Sequence, residues 1–224
     1  MTKLFINYQK RLDELGPPYG GEPLPSEVID AYKGRLPDTF LDFWRVCGLG
    51  KWLKGYFQLC NPEKYKRILR SVFEGDRDFD PEITHTLGFS AFGEILAWNE
   101  QYRIVKIDTL NNSVSCGALF KPKPDISLDV SLGVGIGNVN ATSYDLPNQS
   151  GKPMFKRLLK ACGELDFGQI YVPKLHPSLG GALIVENFRP ADALVAMSIA
   201  EQSQAFTLYN TTIPSVPAVR FIGN

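Results

Sequence analysis

The chain of 224 residues has only four cysteines, Cys47, Cys60, Cys116 and Cys162, and no two of them form a C-x-x-C pair. That excludes a disulfide scaffold and the common cysteine-based zinc sites. Histidine is scarcer still, with His85 and His176 only. Neither stands beside an Asp, Ser or Cys in a nucleophile motif, and no H-E-x-x-H is present, so a metal- or cofactor-dependent enzyme is not indicated. Neither sign of charge is in excess: 24 basic residues balance 24 acidic ones. Proteins that bind nucleic acid directly usually carry a basic surplus that displaces counterions, so no direct nucleic-acid contact is expected. There is no apolar run of about 18 residues, and so no expected membrane span. Charges interrupt the opening MTKLFINYQKRLDEL before a signal-peptide core can form. The expected location is a reducing cytoplasm.

Aromatic residues are plentiful, with 3 Trp, 9 Tyr and 14 Phe, enough for a well-packed core. Helical spacing predicts a helix over 3–15, ended by Gly16-Pro17-Pro18, with Phe5, Tyr8, Leu12 and Leu15 on one face. Ser26 is placed to cap a second helix over 27–33. Pro37 opens a third, whose face is Phe40, Phe43, Trp44 and Cys47 and whose end is Gly48. Asn61-Pro62 is a cap followed by proline at the first helical position, with Tyr65, Ile68, Leu69, Val72 and Phe73 as the buried stripe. The middle of the chain reads as an antiparallel meander. Strands are predicted at 55–59, 84–91, 94–98, 102–108 and 113–119, with turns at Asn99-Glu100-Gln101 and Asn111-Asn112. Residues 127–143 fit two patterns. Leu128, Val130, Leu132, Val134 and Ile136 alternate as in a strand, and a short buried helix suits them as well. Ser150 is the expected cap of a helix containing Phe155, Leu158, Leu159 and Cys162. A last helix, expected to be central, runs from about Pro190 to Gln202.

Candidate chemistry is sparse. Asp76, Asp78 and Asp80 form D-x-D-x-D, but a calcium loop needs Gly and Glu where Pro81 and Leu87 stand. The preferred reading is a solvated acidic loop. The run Gly133-Val134-Gly135-Ile136-Gly137 lacks the spacing and the Lys-Ser/Thr of a phosphate loop, and reads as a turn. A dispersed enzyme site drawing on His85, Glu94 and Trp98 is the rival to a binding role.

Several segments resemble known families. Glu14 to Pro18, Val28 to Tyr32, Leu36 to Trp44, Gly55 to Pro62 with Tyr65, and Phe92-Gly93-Glu94 leading to Trp98 together resemble the GAD-like domain family. The segment Leu36 to Trp44 also resembles, more faintly, the SUKH group of immunity and regulatory scaffolds. Further on, Tyr144-Asp145, Cys162 to Leu165, Tyr171-Val172-Pro173, Leu179-Gly180-Gly181, Glu186-Asn187-Phe188 and Ala191 to Leu194 are similar to the C-terminal domain of type VI secretion immunity proteins. The resemblance implies a protein without catalytic activity that binds a DNA-degrading effector in the producing cell and prevents self-intoxication. It transfers no catalytic residues.

The resulting expectation is an α+β protein, with helices on an antiparallel sheet and a mostly helical C-terminal part. A GAD-like domain would span 1–120 and an immunity C-terminal domain 121–224. The partner is a cognate toxin, and no cofactor or metal is expected. The expected partner-binding residues are Asp76, Asp78 and Asp80 in an exposed acidic loop, with Tyr56 and Trp98 as aromatic anchors (Phe57 and Tyr102 are further candidates).

Overall fold

The computed structural model describes residues 4–223; Lys3, the expected start of the first helix, lies outside them. Eight α-helices are present among these residues: α1 (Ile6–Leu15), α2 (Ser26–Ala31), α3 (Asp38–Cys47), α4 (Pro62–Val72), α5 (Gly117–Phe120), α6 (Leu128–Gly137), α7 (Phe155–Cys162) and α8 (Ala193–Ala200). The strands are β1 (Tyr19–Gly20), β2 (Gly50–Trp52), β3 (Phe57–Leu59), β4 (Thr84–Ser90), β5 (Glu94–Asn99), β6 (Arg103–Asp108), β7 (Ser113–Ser115), β8 (Gln169–Pro173), β9 (Phe188–Asp192), β10 (Thr207–Tyr209) and β11 (Ala218–Phe221). The fold is α+β. A nine-stranded sheet runs β1-β2-β3-β4-β5-β6-β7-β10-β11, and β8 with β9 makes a separate hairpin. All pairings in the large sheet are antiparallel except β7 with β10.

Alternation along the strands creates two cores, one on each face of the sheet. Leu96 and Trp98 of β5 point into the core built with Tyr8, Phe40, Phe43 and Trp44 of α1 and α3, while Ile95 and Ala97 point into the core built with Tyr65, Ile68 and Leu69 of α4. The local signals that carry this layout are the ones visible in the sequence. Asn61 caps α4 through Glu63 N–H at 3.0 Å. Asn99 closes the β5–β6 turn by accepting from Gln101 and Tyr102 N–H at 3.0 and 2.8 Å. Gly16 and Gly48, at φ 74° and 66°, end α1 and α3.

Several expectations are corrected. The predicted strand over 113–119 stops at Ser115, and α5 follows. Ser26 begins α2 rather than capping it, since its side chain accepts no cap bond. Residues 128–137 are helical, and Ser127 caps α6 through Val130 N–H at 3.2 Å. The glycines there are not a turn. A Cβ on Gly133 would sit 2.9 Å from the Phe5 ring, and one on Gly135 would sit 2.6 Å from Ile104, so the bare backbone lets α6 press against α1 and β6. Asp145, not Ser150, caps α7, accepting from Met154 and Phe155 N–H, each at 2.9 Å. The last helix starts after Asp192, whose carboxylate caps it at Val195 N–H, and Pro190 belongs to β9. It is peripheral rather than central, because only Ala193 and Met197 are buried while Val195 and Ile199 face solvent.

Residues on both sides of the expected 120/121 boundary contribute to the same sheet and the same cores. β10 and β11 extend the large sheet beyond β7. α6 is tied back to α3 by Thr39 Oγ1 donating to Asp129 at 2.7 Å, and to α1 by Arg11 donating to the Gly137 carbonyl.

Candidate partner-binding surface

Of the four aromatic candidates named from the sequence, only Tyr102 keeps partial exposure. Tyr56, Phe57 and Trp98 are all buried in the core. Tyr56 acts inside the fold, where its hydroxyl accepts the Tyr144 N–H at 2.7 Å and so fixes the entry to the segment before α7.

The acidic loop is corrected as well. Asp76 has a fully buried side chain, and Arg220 of β11 reaches it with two N–H groups at 2.5 and 2.9 Å. The same carboxylate accepts the N–H groups of Asp78, Phe79 and Gly223, each at 3.0 Å. Asp78 holds Arg220 at 2.7 Å. Burial opposes ionisation of Asp76, but the Arg220 bonds and the three backbone donors overcome it and hold its carboxyl at about 2, below the ordinary 3.8. Asp76 and Asp78 thus clasp β11 to the loop that follows α4. Asp80 is exposed, and it accepts the Glu82 N–H at 2.8 Å. What reads in the sequence as a solvated acidic run is therefore half structural, because its counter-charge arrives from the far end of the chain.

His85 and Glu94 do not meet. His85 lies opposite Trp98, whereas Glu94 lies opposite Asp108 at the other end of β5, about 13 Å away at the usual rise per strand residue. His85 is buried and shares Glu100 with Arg35, each bond being 2.8 Å. Burial lowers its pKa, and the Glu100 bond works in the opposite direction. Glu94 instead pairs with Lys106 at 3.0 Å, with burial pushing its carboxyl pKa up.

The candidate surface is the connection between β8 and β9, residues 174–187. Hairpin loops usually run about 2–5 residues, and longer ones either are disordered or hold a shape of their own. This one holds a shape. Asn187 bridges it from inside: its Oδ1 accepts the Leu175 N–H at 3.0 Å, and its Nδ2 donates to the Leu175 and Ala182 carbonyls at 2.8 and 3.0 Å. Lys174 Nζ donates to the Glu186 carbonyl at 2.7 Å. His176 caps the short turn Pro177–Leu179, and Gly180 then takes the left-handed conformation at φ 88°. Gly181 has no room for a side chain, since a Cβ there would lie 1.8 Å from the Leu175 carbonyl oxygen. Leu183 and Val185 turn down onto the core. Leu175, Leu179 and Ile184 turn outward, at 47%, 73% and 44% exposure. Sequence reasoning missed these three, because an apolar residue in an aperiodic loop carries no sign of which way it faces. The available signal was the combination of Gly180-Gly181 with Asn187, which marks a loop held rigid by its own bonds.

A family model for the GAD-like domain matches residues 6–111. Those residues form a GAD-like domain. No curated protein matches the chain. Among solved structures, the crystal structure of Atu4351 from Agrobacterium tumefaciens is similar at 53% sequence identity and a TM-score of 0.94, covering 97% of this chain and 98% of that one. At that identity over nearly both full lengths the two chains belong to one family.

The GAD-like domain positions the loop although the loop lies outside it. Buried Gln58 of β3 donates to the Gln169 carbonyl and accepts the Gly168 N–H, each at 2.7 Å. The Ala91 carbonyl accepts the Tyr171 N–H at 2.8 Å. The Phe92 ring meets Tyr171 and Phe188 at 6.3 and 6.4 Å between centroids. The β8–β9 hairpin is thus seated on the domain at both of its strands, and Leu175, Leu179 and Ile184 of its connecting loop face outward. Among the described residues no helix is long and apolar enough to cross a membrane.

Proposed function

We propose that this protein is an inhibitor without catalytic activity, which binds a cognate toxin in the cell that makes it. The toxin class implied by the sequence resemblance is a DNA-degrading effector delivered by type VI secretion. The observation that carries the binding role is the 174–187 loop: three apolar side chains held outward on a backbone that the Asn187 side chain ties together at Leu175 and Ala182. Such a loop loses little conformational entropy on binding, which favours tight association. Leu179, the most exposed of the three, is the expected anchor, and a buried leucine contributes about 2 kcal/mol at a packed interface.

The test is co-expression with the toxin encoded beside the gene, followed by co-purification. Wild-type protein protects the cell and co-purifies. Leu179→Asp keeps the melting temperature of the wild type and weakens the complex by about thirtyfold or more, the equivalent of about 2 kcal/mol. If the wild type gives no protection, the immunity reading is wrong. If it protects and Leu179→Asp protects equally well with unchanged affinity, the interface is elsewhere.

A further inference from the structure

A concave feature lies apart from the 174–187 loop, with none of that loop's residues in its lining. It is a groove of about 700 Å³ over β5, β6 and β7, walled by α6 on one side and by Thr211 and Thr212 on the other. That volume is in the range of sites for small organic molecules.

Its lining is chemically one-sided. Arg103, Lys106, Lys121 and Lys123 face it, and among the described residues no carboxylate lines it. Lys106 is compensated from behind by Glu94 at 3.0 Å and lies 4.4 Å from the centre of the Tyr144 ring. Arg103 donates to Ser131 at 2.5 Å and has no carboxylate within 4 Å among the described residues. Lys121 and Lys123 are exposed, and among the described residues neither forms an ion pair. Three cations therefore line one groove with no carboxylate within 4 Å among the described residues, in a protein whose net charge is zero. Like charges gathered in this way repel one another, and an anion between them relieves the cost. The apolar part of the lining is Ile104, Ile126, Val130 and Val134. Val130 and Val134 remain 39% and 47% exposed although they sit on a helix that buries Leu132 and Ile136 behind them.

We propose that this groove binds a small organic phosphate, an anion of two or three charges attached to a flat or apolar body. The phosphate lies among Arg103, Lys121 and Lys123, and the body lies against Ile104, Val130 and Val134. An inorganic anion satisfies only the cationic half of the lining. An apolar ligand satisfies only the other half.

Isothermal titration calorimetry of the full chain at low salt tests this, with adenosine diphosphate as the probe and with pyrophosphate and adenosine as its two halves. Expected is saturable binding of the diphosphate, tighter than either half. The double variant Lys121→Glu, Lys123→Glu, both exposed positions, keeps the wild-type melting temperature and loses at least about tenfold in affinity, with the salt dependence reduced. Val134→Asn, which adds no charge, weakens the diphosphate but keeps pyrophosphate. Three results overturn the proposal: no saturable binding below about 1 mM, pyrophosphate binding as tightly as the diphosphate, or a double variant that binds as the wild type does.

Discussion

Replacing Asp76 with asparagine keeps the shape of the side chain and removes its charge, which isolates what the clasp on the C-terminal strand contributes. In the native protein this carboxylate accepts five hydrogen bonds: two from Arg220 and one each from Gly223, Asp78 and Phe79. Asparagine offers one acceptor oxygen, and its amide turns a donor toward Arg220 or toward the Gly223 N–H. Removing one partner of a buried ion pair costs about 3–5 kcal/mol, because the other charge stays buried without compensation. Here Asp78 still holds one arm of Arg220 at 2.7 Å, so the expected loss is smaller, about 2–3 kcal/mol. The loss is local in origin. β11 and its partner β10 loosen first, and the parallel pairing of β10 with β7 weakens with them. Urea denaturation reads the global cost. Amide exchange at Leu208, whose strand pairs with both β7 and β11, reads the local one. The pH dependence has a definite sign. The Asp76 carboxyl is held at about 2 in the folded chain against 3.8 ordinarily. The unfolded chain therefore takes up this proton first as pH falls. The contribution is fully present above about pH 4 and is lost on descending toward pH 2. A loss below about 0.5 kcal/mol, with unchanged exchange at Leu208, refutes the clasp.

Two further outcomes follow from the same geometry. Gly181→Ala forces the Leu175 carbonyl aside, so toxin affinity falls by about tenfold or more while global stability changes by less than about 1 kcal/mol, since Gly181 and Leu175 belong to neither core; a crystal structure with the loop unmoved contradicts this. His85 is buried and its pKa is lowered, so NMR titration finds its midpoint below 6.5. Because the folded state resists this proton, stability holds above the ordinary histidine range and declines as pH falls through it; a midpoint above 6.5 reverses the sign and refutes the argument.

Much of the GAD-like domain was legible from local chemistry. Asn61-Pro62, Gly16, Gly48 and the turn at Asn99 act through bonds to residues two to four positions away, and such short-range rules are written in sequence order. The antiparallel meander from β4 to β7 was legible for the same reason, since its turns join neighbours. The helix α6 was not decided by its own residues. Alternating valine and glycine suits a strand, and only the close approach of Phe5 and Ile104, from distant parts of the chain, makes those glycines useful in a helix. The partner-binding residues depended on long-range structure most of all. Whether Asp76 is a free charge depends on Arg220, and whether Tyr56 and Trp98 are anchors depends on which helices cover the sheet. The exposure of Leu179 depends on Asn187 closing the loop beneath it. Sequence alone determined the residue types, the local stops and starts and the family of the first half. Burial and charge pairing were decided by contacts between segments remote in the chain, which only the tertiary structure brings together.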